Sequence, residues 1–91
     1  MFRFQIIIEY DGTGYVGWQS QKNGKSVQKE IEKILSKILK IKIKVISAGR
    51  TDAGVHSTNQ SAHFDIKTNI LNKYQFISSI NHFLSKKNIS I

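Results

Sequence analysis

Two hydrophobic periodicities alternate along this chain, and their order limits the folds it can adopt. From Phe2 to Tyr10 large apolar residues recur at every second position, which is typical of a strand with one buried face. From Val27 to Ile38, and again from Tyr74 to Leu84, they recur at the three- and four-residue spacing of an amphipathic helix. Three further segments have strand character: Ile41–Ile46, Thr58–Ile66 and Asn88–Ile91.

The resulting order, β-α-β-β-α-β, predicts an α+β domain of the ferredoxin-like type. We expect an antiparallel four-stranded sheet with two helices on one face. Ser26 and Asn72 are the predicted N-caps of the helices, because their side-chain oxygens can accept backbone N–H groups of the first turn. The opposite face of such a sheet is left open to RNA, a ligand or a second domain.

Length and composition narrow the class of protein. The 91 residues are enough for one small domain. Fourteen Lys and Arg against six Asp and Glu give a net charge of +8, which favours a polyanionic partner, with nucleic acid ahead of a membrane surface. The absence of cysteine excludes a disulfide scaffold, an iron–sulfur cluster and a thiolate zinc site. We see no signal peptide and no membrane-spanning run, and so expect a cytoplasmic protein.

Gly12–Gly17 matches the pattern G-x-G-x-x-G directly after the first strand. A dinucleotide site would need the helix to begin on these glycines, so that its N-terminus faces the pyrophosphate. Here polar residues up to Lys25 separate the glycines from the helix, and no acidic residue ends the second strand. We therefore interpret the segment as a glycine-rich turn.

A second glycine-bearing segment places one of the two arginines close to one of the six acidic residues. Arg50 and Asp52 lie two residues apart between Gly49 and Gly54, and in an extended segment such residues point to the same side. A neighbouring guanidinium favours an ionised carboxylate, which could act as nucleophile or base on an RNA substrate. Spacing alone favours a structural ion pair over this role. The three histidines lack metal-binding spacing, so no metal site is expected.

These segments resemble those of a known family. The sequence IEYDGTGYVGWQ at Ile8–Gln19 resembles the opening signature of the tRNA pseudouridine synthase A family. AGRTDAGVH at Ala48–His56, followed by Gln60 and His63–Asp65, resembles its catalytic-aspartate signature. The helix between the two blocks contains Val27 and Gln28, and Asn81 with Leu84 matches a weaker pattern that closes the next helix.

The resemblance implies an isomerase that converts uridine to pseudouridine on the 3′ side of the tRNA anticodon stem-loop. It also implies a homodimer, and the absence of any cofactor. Asp52 carries over as the catalytic carboxylate, and Arg50 as the residue that helps to flip the uridine and holds the carboxylate. Lys42 and Lys44, on the outer face of the second strand, would bind phosphates of the RNA. Thr51 and His56 are the further RNA-binding candidates.

Members of this family carry a second domain, which supplies a tyrosine that packs on the target base. Residues 1–91 are therefore expected to form the N-terminal catalytic-aspartate domain, with the C-terminal domain absent from this chain and the fragment inactive alone. A non-catalytic RNA-binding module of the RRM type remains an alternative, although Thr58–Phe64 lacks the aromatic signature of that class. An acylphosphatase-like hydrolase would need an arginine in the first loop, and Gly12–Gly24 has none.

Overall fold

The computed structural model of the chain describes residues 1–11, 18, 26–47, 57–87 and 89–91. The elements follow the predicted order, and their bounds are β1 Phe2–Tyr10, α1 Val27–Leu39, β2 Ile46–Ser47, β3 Ser57–Ile66, α2 Lys73–Leu84, a 3₁₀ turn at Ser85–Lys87, and β4 Ile89–Ser90.

The strands form one four-stranded sheet in the order β2-β3-β1-β4, and each neighbouring pair is antiparallel. The central β1–β3 ladder runs from Phe2 opposite Ile66 to Ile8 opposite Gln60. β4 pairs with β1 only at Glu9 and Tyr10. This topology confirms the predicted ferredoxin-like fold.

One face of the sheet is buried under both helices. Alternate residues of β1 and β3 face the helices and are nearly inaccessible to solvent, as their period of two requires. They form a single core with the buried faces of both helices, so α1 and α2 lie on the same side of the sheet. The strand residues concerned are Ile6, Ile8, Tyr10, Ala62, Phe64 and Ile66.

Both predicted N-caps are confirmed. The Ser26 hydroxyl accepts the backbone N–H of Lys29 at 3.1 Å, and the Asn72 carboxamide oxygen accepts that of Gln75 at 3.0 Å. Each bond satisfies one of the four N–H groups that a helix leaves without an intrahelical partner. α1 ends at Leu39, and the left-handed conformation of the C-cap residue Lys40 (φ 59°) stops the helix.

The predicted second strand, Ile41–Ile46, is wrong in its extent. Only Ile46–Ser47 pairs with β3. Within 41–45, the N–H of Ile43 donates to the Ser36 hydroxyl at 2.9 Å, and that of Val45 donates to the Glu32 carboxylate at 2.8 Å. Backbone groups that the alternation assigned to a sheet ladder are thus satisfied by side chains of α1.

Candidate functional site

The two signature segments join the sheet at one end. Segment 12–17 follows β1 after Asp11, and segment 48–56 enters β3 at Ser57. Tyr10 and Ser57 are direct partners in the β1–β3 ladder. We call this end, defined by Tyr10, Asp11 and Ser57, the motif end. Segments that are about thirty residues apart in sequence are therefore anchored on neighbouring strands.

A β-bulge marks the same place. The ladder passes from Ile8 opposite Gln60 to Tyr10 opposite Ser57, so two residues of β3 lie opposite Glu9 alone. A bulge bends the strand that carries the extra residue and changes the direction of its neighbours, and bulges are over-represented beside active sites. Here the bend falls where segment 48–56 joins β3.

Trp18 fixes the connection between β1 and α1 at the motif end. Its side chain is buried and its ring lies 6.3 Å from that of Tyr10. Its carbonyl oxygen accepts the backbone N–H of Gln28 at 2.9 Å, which satisfies another free donor of the first helical turn. Ile8, Tyr10 and Trp18, all within the opening signature, thus serve the core.

Gln28 connects this arrangement to the strand that leads into the second signature. While its backbone N–H bonds to Trp18, its side-chain Nε2 donates to the carbonyl oxygen of Val45 at 2.8 Å. Val45 lies two residues before Ser47, the last described residue ahead of segment 48–56. Gln28 therefore holds the approaches to both signature segments. The family resemblance includes Gln28 but does not indicate this role.

The predicted site residues divide into two groups. Asp52, Arg50, Thr51 and His56 lie in segment 48–56, outside the described residues. The other group comprises the two lysines, Lys42 and Lys44, which are exposed on the extended stretch that precedes β2.

The position of these lysines follows from the backbone bonds of Ile43 and Val45. Those bonds, to Ser36 and Glu32, hold the stretch that carries Lys42 and Lys44 against α1.

The face of the sheet opposite the helices carries polar groups that the sequence motifs do not include as candidates. The Arg3 guanidinium donates to both carboxylate oxygens of Asp65, at 2.9 and 3.1 Å, and Gln5 Nε2 donates to the Ser61 hydroxyl at 2.7 Å. The hydrogen bonds from Arg3 hold the pKa of Asp65 below its ordinary value, and those to Asp65 raise the pKa of Arg3. In the sequence, the alternation of polar residues along β1 is the signal that could have placed these groups on the open face.

A shallow cavity of about 310 Å³ opens on this side of the sheet and reaches Ser47, beside segment 48–56. Its lining is formed by six residues, most of them polar: Arg3, Gln5, Ser47, Ser61, Ala62 and His63. In the described parts of β1 to β4, no Phe, Tyr or Trp side chain lies on this open face. An RRM binds bases by stacking them on aromatic side chains of its sheet, so the described face lacks the feature that defines that class.

Two further properties of the described residues bear on the class of protein. Within the described ranges, no group of three or more His, Asp or Glu side chains is placed to hold a metal ion. No helix in those ranges is both long enough and apolar enough to cross a membrane.

Comparison with known proteins gives a consistent result. The family model described as tRNA pseudouridine synthase matches residues 6–91. A tRNA pseudouridine synthase A from Pelagibacter ubique (strain HTCC1062) is 58% identical over 91 residues, covering 100% of this chain and 37% of the relative. The tRNA pseudouridine synthase A of Neorickettsia sennetsu (strain ATCC VR-367 / Miyayama) is 48% identical over 85 residues, or 93% of this chain and 35% of the relative.

A third relative, the tRNA pseudouridine synthase A of Anaplasma marginale (strain Florida), is 43% identical over 98% of this chain and 36% of its own length. Because the family model matches nearly the whole sequence, the chain belongs to the tRNA pseudouridine synthase family. It spans little more than a third of the length of the curated relatives it matches.

Proposed function

We propose that this chain is the catalytic-aspartate domain of an enzyme that converts uridine to pseudouridine in the tRNA anticodon stem-loop, with Asp52 as the catalytic carboxylate. Family membership supports the reaction class. The observation that carries the proposal is the pairing of Tyr10 with Ser57, because it anchors both family signatures at the motif end.

The reaction requires three events at one nucleotide. The glycosidic bond between C1′ and N1 of uracil breaks, the base turns, and a bond forms between C1′ and C5. The proton on C5 then leaves, and N1 gains one. The Asp52 carboxylate can attack the sugar, attack the base or remove a proton, and each route uses its ionised form. Atoms and electrons balance without an external oxidant or reductant.

The target base must first leave its stack. Extruding a nucleotide costs a few kcal/mol, and a side chain that fills the vacated space offsets part of this cost. We assign that role to Arg50, which is close enough in sequence to hold the Asp52 carboxylate as well. Thr51 and His56 are proposed to contact the target nucleotide and its neighbours. Lys42 and Lys44 are proposed to bind phosphates, since both are exposed.

The proposal includes partners for this domain. The complete enzyme is proposed to act as a cytoplasmic homodimer. A second domain is proposed to supply the side chain that packs on the target base, so residues 1–91 alone are expected to be inactive. Relatives whose length exceeds that of this chain nearly threefold support this division.

Tritium release tests the function. A tRNA transcript labelled at C5 of uridine loses tritium to water when C5 becomes bonded to C1′. We expect release by the complete protein, and none when the uridines on the 3′ side of the anticodon stem-loop are replaced by cytidine. Sedimentation of the same protein is expected to show a dimer.

Failure of the complete protein to release tritium from any tRNA transcript would overturn the proposed reaction. Unchanged release from the cytidine-substituted transcript would retain the reaction and overturn the proposed target. Activity of the 91-residue chain alone would overturn the division of the site between two domains.

The RRM-type alternative makes the opposite prediction. A binding module would hold tRNA without releasing tritium. The described open face, which lacks aromatic side chains, does not favour it.

A further inference from the structure

The exposed side of α1 carries a row of four lysines. Lys29, Lys33 and Lys37 recur at four-residue spacing, and Lys40 follows in the C-cap position. At 3.6 residues per turn, these positions fall within about 80° of one another around the helix axis. All four are exposed. We call them the lysine row.

The acidic residues of α1 do not neutralise this row. The Glu30 carboxylate lies 3.2 Å from Nζ of Lys87, and the Glu32 carboxylate accepts the backbone N–H of Val45. Among the described residues, no ion pair reaches a member of the lysine row. Like charges at four-residue spacing destabilise a helix, and Lys29, Lys33 and Lys37 supply two such pairs. A bound polyanion would relieve that repulsion.

The position of the row relates it to the motif end. α1 begins there, because the N–H of Gln28 bonds to the carbonyl of Trp18. Lys29 therefore lies at the end of the row nearest to the signature segments, and Lys40 lies about 16 Å further along the helix axis. A ligand that occupies the motif end and extends past the helix layer would meet a line of positive charge.

We propose that the lysine row binds the sugar-phosphate backbone of the duplex stem that adjoins the target loop of the tRNA. This inference rests on the proposed function and adds to it a second contact surface, on the helix layer and separate from Asp52. A duplex backbone suits the row because it presents negative charges at regular intervals along a line. Lysine binds phosphate as a point charge, so this binding carries no sequence preference.

A matched pair of variants of the complete protein tests the proposal. Lys29→Gln/Lys33→Gln removes two charges from the row, and Lys67→Gln/Lys73→Gln removes two exposed charges from the opposite end of the molecule. Glutamine keeps a helix propensity close to that of lysine, so circular dichroism should show both variants folded. Binding is measured against salt concentration with three probes: a tRNA transcript, a single-stranded oligonucleotide of the anticodon-loop sequence, and phosphatidylserine vesicles.

We expect the row variant to weaken tRNA binding at least fivefold at moderate salt. The slope of log K against log salt should also fall in magnitude by about 0.7 to 0.9 for each phosphate that the variant no longer binds. The control variant should change tRNA affinity less than twofold, and both variants should bind the loop oligonucleotide like the parent.

Equal effects of the two variants on tRNA would overturn the proposal, since net charge alone would explain them. An equally weakened affinity for the loop oligonucleotide would overturn the assignment to the stem. A row effect on vesicles but not on tRNA would overturn the proposal in favour of a membrane surface. These binding measurements do not depend on turnover. The proposal for the lysine row can therefore be overturned while tritium release supports the proposed reaction, and the proposed reaction can be overturned while the row is supported.

Discussion

The two ends of the sheet are built differently. At the motif end, Tyr10 and Trp18 are 3% and 1% exposed, and β1 is paired on both sides, by β3 and by β4. At the other end, the far end, β1 begins at Phe2, Phe4 stacks on the buried Phe64 across the β1–β3 ladder, and the polar cross-strand contact is the exposed ion pair of Arg3 with Asp65. Among the described strands, none covers the outer edge of β1 before Glu9.

The polar contacts at the two ends differ in the free energy that is lost when they break. At the motif end, Gln28 donates a half-buried hydrogen bond to the carbonyl oxygen of Val45. Such a bond is costly to break, because no water replaces the lost partner. An exposed ion pair contributes little, because water and salt screen it. The polar contacts that flank the family signatures are therefore the costlier ones to break.

Truncation of Trp18 should have the largest effect. Trp18→Ala removes the buried ring that packs near Tyr10, and we expect the free energy of unfolding to fall by about 3–5 kcal/mol. Urea denaturation followed by circular dichroism measures it, since the variant lacks the only tryptophan. Trp18→Phe should recover part of this stability. A change below about 1 kcal/mol for Trp18→Ala would contradict the buried packing of this residue.

Two glutamines offer a matched comparison of the motif end with the open face. Gln28→Ala leaves the carbonyl of Val45 without its 2.8 Å donor, and we expect a destabilisation of about 1–3 kcal/mol. Gln5→Ala breaks an exposed bond to Ser61 and should change stability by no more than about 0.5 kcal/mol. Denaturant midpoints of the two variants provide the test. Equal midpoints would show that Gln28 does not hold the approach to β2.

The smallest effect concerns pH at the far end. The folded-state pKa of Asp65 is lowered, chiefly by the hydrogen bonds from Arg3. The pair therefore adds stability above the unfolded-state pKa of Asp65, and this contribution disappears as pH falls through the lower folded-state value. Asp65→Asn should have a slightly lower Tm than the parent near pH 7, and the two proteins should converge in acid. A difference that grows on acidification would reverse the assigned sign.

Most of the frame was predictable from sequence, because local rules operate there undisturbed. The alternation over Phe2–Tyr10 predicts β1 with its observed bounds, and Ser26 and Asn72 cap their helices as expected. The prediction for Ile41–Ile46 failed because Ser36 and Glu32, on the preceding helix, bind its backbone N–H groups. Periodicity describes which side chains are buried and does not reveal which group accepts each backbone hydrogen bond.

The sequence motifs identified the candidate site residues, but they predicted only part of the geometry around those residues. The resemblance located Arg50 and Asp52, whose roles stay predictions because they lie outside the described residues. Trp18 and Gln28 join the flanks of the two signatures through the hydrogen bonds that Gln28 donates to Trp18 and to Val45. No local sequence pattern encodes these bonds. Helical spacing also assigned Tyr74 to a buried face, yet it is 89% exposed. Spacing fixes a face of a helix but not how far the neighbouring layer reaches.

The central claim is that the Asp52 carboxylate performs the reaction, and substitutions of two acidic residues test it most directly. In the complete protein, Asp52→Asn keeps the volume of the side chain and removes its charge, as does Asp65→Asn at the far end. We predict that Asp52→Asn abolishes tritium release from C5-labelled tRNA while tRNA binding stays within about tenfold, and that Asp65→Asn retains the parent rate. Release by the Asp52→Asn protein at close to the parent rate would contradict the account.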